Sequence, residues 1–336
     1  MTGALRRTLL ACAGISLLTA AASAEPLRVV GNTQVFEIAP LVLASKALPE
    51  GSVDVSLGGV PNLWDVELSS LTLSVSGDGP SKPRPSGQLA DLAGNAETQL
   101  LHGTVAHRDG RYLLTVVEGI YRLVGRRSRG IANEADLKGK TIATMPGTSA
   151  AFYLHRLLDR AHLSEHDVTI VPLSPKAAAD ALIAGKVDAM SMWEPHAEDA
   201  VRALGRDAVV IQPVGEYREV YSLHTKEAVL SDPRKRSQVV AYVRALITAC
   251  NQIAKDPRKA QELLSAVHGR TPNEIAAAWQ YNFVCKPTPA ITDLLVEEER
   301  WLAAQESRAP RTRDEIARLV DTSVFGEARR LSPERR

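Results

Sequence analysis

The sequence predicts an α/β protein in which parallel strands are covered by helices on both faces. From Lys140 to Ile211, short apolar segments rich in β-branched residues alternate with helical segments of about a dozen residues. Strands separated by helices of that length imply right-handed crossovers, and hence parallel pairing. Of the 336 residues, 45% are hydrophobic and 24% charged, which is the composition of a globular chain and not of a disordered one.

Residues 1–24 are predicted to be an export signal that does not belong to the fold. Arg6 and Arg7 form a positive start, an apolar run follows, and Ala22-Ser23-Ala24 supplies a small-residue cleavage site. The run has about 15 residues, fewer than the ~20 needed to span a bilayer. We therefore expect a mature chain that begins near Glu25 and is periplasmic or otherwise extracytoplasmic, exported by the general or the twin-arginine route.

The first elements of the mature chain are two strands around a helix. Leu27–Val30 and Val53–Leu57 are strand-like, and between them Glu37–Leu48 carries apolar residues at helical spacing. Ser76–Gly87, rich in proline and glycine, is predicted to be a surface loop or a long connection. The next predicted elements are a strand ending at Gly94, the helix Asn95–His102, and the strands Leu113–Val117 and Tyr121–Val124.

The middle of the chain is regular and the C-terminal part is predicted to be almost entirely helical. The middle elements are the strands Lys140–Ala143, Val168–Val171, Val187–Met192 and Ala208–Ile211, with the helices Ala150–Ala161, Lys176–Ala184 and His196–Leu204 between them. The C-terminal helices are Asp232–Asp256, Pro257–Val267, Thr271–Tyr281 and Ile291–Gln305, several of which begin with a capping residue and a proline. The arginine-rich segment Glu327–Arg336 is predicted to be a disordered, solvated tail.

Composition and motifs exclude several classes of function. A net charge of +1 gives no field that would attract nucleic acid, and 4% aromatic residues are too few for a base-stacking platform. The glycine-rich nucleotide loops and the nucleophile elbow are absent, and His162 and His166 lack further metal ligands. We therefore expect no enzymatic activity, no metal, no cofactor and no nucleic-acid partner.

The cysteines leave two interpretations open. Cys12 would be lost with the export signal, and Cys250 and Cys285 would remain in a compartment that permits disulfides. A bridge between them would join two C-terminal elements. Two separate buried thiols are equally compatible with the sequence.

Polar and small residues stand at four junctions where a predicted strand ends and a helix begins. They are Asn32 and Gln34; Asn95, Glu97 and Thr98; Gly147, Thr148 and Ser149; and Trp193 and Glu194. In open α/β sheets ligands bind beyond the carboxyl ends of the strands, where helix N-termini offer unpaired N–H groups. Helix capping alone could explain Thr148 or Ser149, and Trp193 could be a core residue. The four junctions together predict a ligand site.

The chain also resembles a known family. Ala135–Lys140, Pro146–Ser149, Ala181–Ala189 and Trp193–Pro195 look like motifs of the solute-binding proteins of sulfonate/taurine/nitrate-type ABC importers. The resemblance implies a two-lobed periplasmic-binding-protein-like fold of type II, each lobe a mostly parallel sheet flanked by helices. Lobe 1 would comprise residues 25–124 with 216–326 returning to it, and lobe 2 would comprise residues 125–215.

The resemblance implies a function as well. We expect a monomer that closes its lobes on a small polar solute, such as a sulfonate, taurine or nitrate, and delivers it to permease and ATPase subunits in other chains. Two alternatives remain: an enzyme like the pyrimidine-precursor synthases that share this fold, or a solute-sensing module without transport. The predicted cleft holds Glu97 and Glu194 but no obvious arginine, although arginine is a common partner of such anions.

Overall fold

Two β-sheets flanked by helices form the protein. The computed structural model describes residues 25–32, 35–58, 63–64, 73–76, 79–81, 89–213 and 217–331. The predicted export signal lies outside these residues, as does Gln34. No helix in the described ranges is both long and apolar enough to cross a membrane.

The strands of the described chain divide between an eight-stranded and a five-stranded sheet. In chain order they are β1 (Leu27–Gly31), β2 (Val53–Leu57), β3 (Leu73–Ser76), β4 (Gly79–Ser81), β5 (Leu92–Ala96), β6 (Gly110–Ile120), β7 (Arg122–Arg126), β8 (Thr141–Thr144), β9 (Thr169–Pro172), β10 (Ala189–Met192), β11 (Ala208–Ile211), β12 (Arg218–Lys226) and β13 (Tyr281–Lys286). The first sheet has the order β13-β6-β12-β5-β1-β2-β3-β4, and the second has the order β11-β7-β10-β8-β9.

Helices pack against both sheets. They are α1 (Ala39–Lys46), α2 (Glu97–Ala106), α3 (Ser149–Arg160), α4 (Pro175–Ile183), α5 (His196–Leu204), α6 (Glu227–Ser231), α7 (Pro233–Lys255), α8 (Arg258–His268), α9 (Pro272–Ala277), α10 (Ile291–Gln305), α11 (Arg313–Ala317) and α12 (Ser323–Arg330). The α/β class predicted from the sequence is confirmed.

The sheets are mixed, so the prediction of mostly parallel sheets is wrong. β1 is parallel to β2 and β5, and β8 is parallel to β9 and β10, as helical crossovers require. β12 is antiparallel to both β5 and β6, and β7 is antiparallel to both β10 and β11. The antiparallel pairs arise because β6 to β7 and β11 to β12 are short connections between the two sheets, which contain no crossover helix.

The two sheets are consistent with two lobes. The chain leaves the first sheet after Ile120 and enters the second at Arg122, and it returns to the first sheet at Arg218. The lobe boundaries given above, 25–124, 125–215 and 216–326, stay a prediction.

Two C-terminal predictions are wrong. The helix predicted over Thr271–Tyr281 ends at Ala277, and β13 follows it and pairs with β6 at the edge of the first sheet. The predicted tail begins with a helical segment, because α12 continues to Arg330. Ala328 is buried there and Glu327 is paired with Arg236, so this part of the chain packs on the fold. Residues 332–336 lie outside the described ranges.

A further difference concerns the proline- and glycine-rich stretch Ser76–Gly87. Gly79–Ser81 forms β4 inside this predicted loop, paired with β3 at the edge of the first sheet. The edge position is compatible with Pro80, because one side of an edge strand needs no ladder hydrogen bond.

The two remaining cysteines form a disulfide. Cys250 on α7 and Cys285 on β13 are bridged, with their Cα atoms 6.0 Å apart. Both residues are buried. The bridge therefore ties an edge strand of the first sheet to the longest helix of the described chain.

Candidate functional site

A narrow cleft lies where the carboxyl ends of β1, β5, β8 and β10 approach one another. Its lining residues come from both sheets: Asn32, Val35, Asn95, Ala96, Gln99, Tyr121, Thr148, Ser149, Trp193, Glu219 and Tyr221. The cavity volume is about 20 Å³, room for about one water molecule. A larger ligand would therefore need the two sides of the cleft to separate before it could enter.

The structure brings half of the predicted site residues to this cleft. Asn32, Asn95, Thr148, Ser149 and Trp193 line it, one or two from each of the four predicted junctions. Among the described residues these five come from strand ends that are far apart in the sequence. The clustering agrees with the position that ligands take in open α/β sheets.

Thr98 and Gly147, two of the predicted site residues, do not line the cleft but contact residues that do. The Thr98 hydroxyl is 3.1 Å from the Ser149 hydroxyl, and the Gln99 amide donates a hydrogen bond of 3.1 Å to the Gly147 carbonyl. Both contacts join α2, beside the first sheet, to the start of α3, beside the second. Gly147 has φ +70°, a conformation that favours glycine.

The N-termini of α2 and α3 open onto the cleft, and neither is capped by a side chain. Thr148, the residue before α3, donates its hydroxyl hydrogen to the Met145 carbonyl at 2.6 Å instead of capping the helix. Ala96, the residue before α2, likewise caps nothing, and both it and Ser149 line the cleft. Two helix N-termini therefore direct partial positive charge and N–H donors toward one point.

Trp193 adds a third donor. Its side chain is only 7% exposed, and its indole Nε1 has no hydrogen-bond partner in the described chain. A buried N–H without an acceptor is costly, so an acceptor atom in the cleft would stabilise this arrangement. The residue also belongs to the hydrophobic core, which means that it is both a wall of the cleft and a core residue.

Glu194 does not line the cleft. It is buried against Arg122, whose Nε donates to Glu194 Oε1 at 2.7 Å and whose second nitrogen donates to Glu198 at 2.9 Å. Burial raises the pKa of Glu194 to about 7, although the Arg122 charge acts in the opposite direction. Arg122 is thus an arginine that the sequence analysis did not identify. It pairs with a glutamate and does not line the cleft.

Glu97 is also turned away from the cleft. The Tyr217 hydroxyl and the Val220 N–H, the latter at 3.0 Å, donate to its carboxylate oxygens, and Glu298 approaches its side chain. Burial raises the pKa of both carboxyl groups. This pair is part of the packing between α2, α10 and β12.

A second carboxyl pair reaches the cleft. Glu219 on β12 lines the cavity and lies next to Glu37, which precedes α1. Burial raises the pKa of Glu219 well above its ordinary value and that of Glu37 to about 7. In the described part of the chain neither carboxyl pairs with an arginine or lysine.

The sequence analysis missed four polar residues of the cleft, Gln99, Tyr121, Glu219 and Tyr221, as well as the apolar Val35 and Ala96. Tyr121 and Glu219 lie where the chain passes between the sheets, a place that the resemblance identified without naming side chains. The Tyr221 hydroxyl donates to the Gly94 carbonyl at 2.6 Å and so closes the cleft on the β5 side. Gln99 follows the predicted junction by one residue and had no separate signal.

A larger cavity lies on the other side of the turn at Gly147. Its volume is about 360 Å³, and its walls are mostly apolar. The wall residues come from α3 and β9 on one side and from α10 on the other, with Ala151, Leu154, Ile170 and Leu302 among them. Buried Thr144 Oγ1 lines this cavity without a hydrogen-bond partner in the described chain. The Gln99–Gly147 contact separates the two cavities.

The described residues contain no group of three or more His, Cys, Asp or Glu side chains that could hold a metal ion. The donors around the cleft are N–H and hydroxyl groups together with carboxyl groups of raised pKa. Such a set suits an oxygen-rich anion better than a cation.

A family model described as "NMT1/THI5 like" matches residues 89–268. A Bacillus subtilis protein named "Putative aliphatic sulfonates-binding protein" is 41% identical over 100 residues, which is 30% of this chain and 29% of that protein. A Brachyspira hyodysenteriae protein named as a "Putative ABC transporter periplasmic binding protein" is 30% identical over 132 residues, 39% of this chain and 37% of the relative. The chain thus matches about a third of the length of these relatives.

Solved structures share the fold over nearly the whole chain. The alkanesulfonate-binding protein SsuA of Xanthomonas axonopodis pv. citri, bound to MOPS, has a TM-score of 0.65 at 22% identity, covering 90% of this chain and 99% of that one. A mutant of the desulfurization enzyme DSZB, in complex with biphenyl-2-sulfinic acid, has a TM-score of 0.57 at 15% identity, covering 91% of this chain and 100% of that one. At these identities the likeness concerns the fold alone.

Proposed function

The chain belongs to the NMT1/THI5-like family, and we propose that it is a solute-binding protein of an ABC importer that captures a small organic oxyanion, above all a sulfonate. The resemblance seen in the sequence motifs is confirmed by the family match and by the shared fold. The observation that carries the proposal is the donor set of the cleft: two uncapped helix N-termini and the unpartnered Trp193 Nε1.

A sulfonate fits this donor set chemically. Its three oxygens accept hydrogen bonds and carry one negative charge at every pH at which the protein is folded. Helix N-termini and oriented N–H groups bind such anions without an arginine. The apolar cavity behind the Gly147 turn supports an organic solute over nitrate, because an organic group could extend into it once the Gln99–Gly147 contact opens.

The placement of the cleft supports capture by closure. Thr98 and Gln99 of α2 already contact Ser149 and Gly147 at the start of α3. On another side, Arg270 after α8 binds Asp199 of α5 through two contacts of 2.7 and 2.6 Å. A solute that contacts both sides of the cleft would favour this closed arrangement over an open one.

The location and the partners follow from the relatives' names: we propose a periplasmic or other extracytoplasmic location and delivery to permease and ATPase subunits in other chains. We also propose a monomer, which is what the resemblance in the sequence implies. Enzymatic turnover is disfavoured by the cleft chemistry, because Ser149 bonds to Thr98 and no histidine is among the lining residues. Taurine and nitrate stay alternative solutes, and a sensor without transport stays an alternative role.

A ligand screen tests the proposal. Thermal unfolding of the purified protein should shift upward with ethanesulfonate or another alkanesulfonate, and less or not at all with nitrate and alkylamines. Ligand at one hundred times its dissociation constant stabilises the folded state by about 2.7 kcal/mol, which for a chain of this size is a shift of several degrees.

Trp193→Phe makes the screen site-specific. The ring is retained while the N–H donor is lost, so the sulfonate affinity should fall roughly tenfold or more, as expected for a hydrogen bond to a charged group. Trp301→Phe is the matched control, because Trp301 is also buried but donates to Glu165 and does not line the cleft. A protein that no tested anion stabilises, or equal losses in the two variants, would contradict the proposal.

A further inference from the structure

We propose that Glu219 takes part in solute binding as a neutral carboxylic acid that donates a hydrogen bond to the bound oxyanion, so that binding weakens as the pH rises. This inference rests on the proposed function. It adds a specificity-determining residue and a proton requirement to the site.

The position of Glu219 in the cleft is the first observation that supports the inference. Glu219 is 5% exposed, lines the cleft, and lies on β12 directly after the chain has returned to the first sheet. Its side chain lies next to Glu37 on one side and to Tyr121 on the other. Tyr121 in turn lies next to Ser149 at the N-terminus of α3, and both residues line the cleft. A buried carboxyl pair therefore adjoins the part of the cleft on which the N-terminus of α3 opens.

The titratable groups around Glu219 are the second observation that supports the inference. The titratable groups that face it are Glu37 before α1, Glu97 at the start of α2, Tyr121 between β6 and β7, Tyr217 just before β12, Tyr221 on β12 and Tyr281 on β13. Within the described ranges no arginine or lysine pairs with Glu219 or Glu37. Two adjacent carboxyl groups without a cation cannot both ionise, and burial adds to the cost, so the pair keeps a proton at neutral pH.

The protonation state decides what Glu219 does to the solute. An ionised carboxylate only accepts hydrogen bonds and would repel an oxyanion in a site of low dielectric constant. A protonated carboxyl has one O–H donor, which can join those of the helix N-termini and Trp193. Because burial raises the pKa of Glu219 well above its ordinary value, the donor form persists to a higher pH than it does in an exposed glutamate.

The Glu97–Glu298 pair offers an internal control. It is also buried and also has raised pKa values, but its oxygens face Tyr217 and Val220 and neither residue lines the cleft. Glu298→Gln should therefore leave the pH dependence of binding unchanged. Glu219→Gln should remove it, because the amide NH₂ donates at every pH.

The experiment is calorimetric titration of ethanesulfonate between pH 6 and pH 10 into wild-type protein and both variants, with folding checked by circular dichroism. Ethanesulfonate keeps its charge over this range, so any pH dependence belongs to the protein. The wild-type and Glu298→Gln dissociation constants should rise about tenfold or more with pH, while that of Glu219→Gln stays flat and near the wild-type value at pH 6. In the pH range over which its affinity falls, the wild-type protein should take up protons on binding, seen as a binding enthalpy that varies with the ionisation enthalpy of the buffer.

Three results would overturn the inference. Wild-type binding that does not depend on pH and takes up no protons between pH 6 and pH 10 contradicts the loss of affinity with rising pH on which the inference depends, whether or not the variant folds. Affinity that rises with pH and is lost in Glu219→Gln would mean that the ionised form of Glu219 supports binding, which contradicts its role as a hydrogen-bond donor. Absence of binding at every pH would overturn the proposed function itself, and with it this inference, and is distinguishable from the other two outcomes.

Discussion

Replacing Arg122 with methionine should lower the free energy of unfolding by about 3–5 kcal/mol at pH 8, the usual cost of removing one partner of a buried ion pair. Arg122 and Glu194 are almost completely buried, with side-chain exposures of 6% and 2%, and Arg122 donates through two nitrogens to Glu194. Without the guanidinium, Glu194 would have to remain as a buried unpaired charge or take up a proton.

The loss should depend on pH, and the sign follows from the Glu194 carboxyl. Burial already raises the pKa of Glu194 to about 7, above its unfolded value of 4.5, and loss of Arg122 raises it further. A group with a raised pKa in the folded state destabilises the fold as the pH rises above the unfolded value, so the variant should lose less stability at pH 5 than at pH 8.

Urea-induced unfolding at the two pH values measures this prediction. The double variant Arg122→Met/Glu194→Gln should recover most of the loss, because the buried group is then neutral and its amide oxygen can still accept from the Glu198 N–H, which is 3.0 Å from Glu194 Oε2. Equal destabilisation at both pH values, with no recovery in the double variant, would contradict this explanation of the ion pair.

Removing the Cys250–Cys285 bridge should cost about 3–4 kcal/mol. The cysteines are 35 residues apart in the sequence, and a loop of that length loses this amount of chain entropy in the unfolded state when it is closed. The Cys250→Ala/Cys285→Ala variant should therefore unfold at a lower urea concentration than the oxidised wild type.

Wild-type protein that is reduced in denaturant and refolded with reductant is the matched control, because the bridge is buried in the folded state. It should be destabilised by nearly the same amount as the double variant. Two titratable thiols in protein denatured without reductant, or an unfolding midpoint that reductant leaves unchanged, would show that the bridge does not form in the isolated protein.

The sequence predicts those site residues whose positions follow from the local secondary structure. Asn32, Asn95, Thr148, Ser149 and Trp193 each follow or end a strand, and strand ends can be recognised from periodicity and turn residues alone. Parallel pairing brings together the residues that follow strands of the same sheet, and the approach of the two sheets brings both sets to one cleft.

The missed residues depend on contacts between distant segments. Glu219 reaches the cleft because β12 pairs antiparallel with β6, and Glu194 meets Arg122 because β10 pairs antiparallel with β7. Neither pairing has a local signal in the sequence, since each joins two strands that are far apart along the chain. The two glutamates named from the sequence were placed in the cleft for the same reason: nothing local indicated Arg122 or Tyr217 as their partners.

The failure to predict β13 from the sequence has a different cause. Thr271 and Glu274 form a capping box, which correctly predicts the start of α9. No glycine or proline marks the end of that helix at Ala277, so the prediction continues it to Tyr281 and assigns no element to the residues from Asn282 to Lys286. The segment is a strand because the exposed edge of β6 and the bridge from Cys285 to α7 hold it there.

A crystal structure of the protein with saturating ethanesulfonate tests the account most directly. We predict electron density for the sulfo group in the cleft, with its oxygens within hydrogen-bond distance of Trp193 Nε1 and the Ser149 N–H. Density confined to the apolar cavity beside His102 and Leu302, or a cleft that stays free of ligand at saturation, would contradict it.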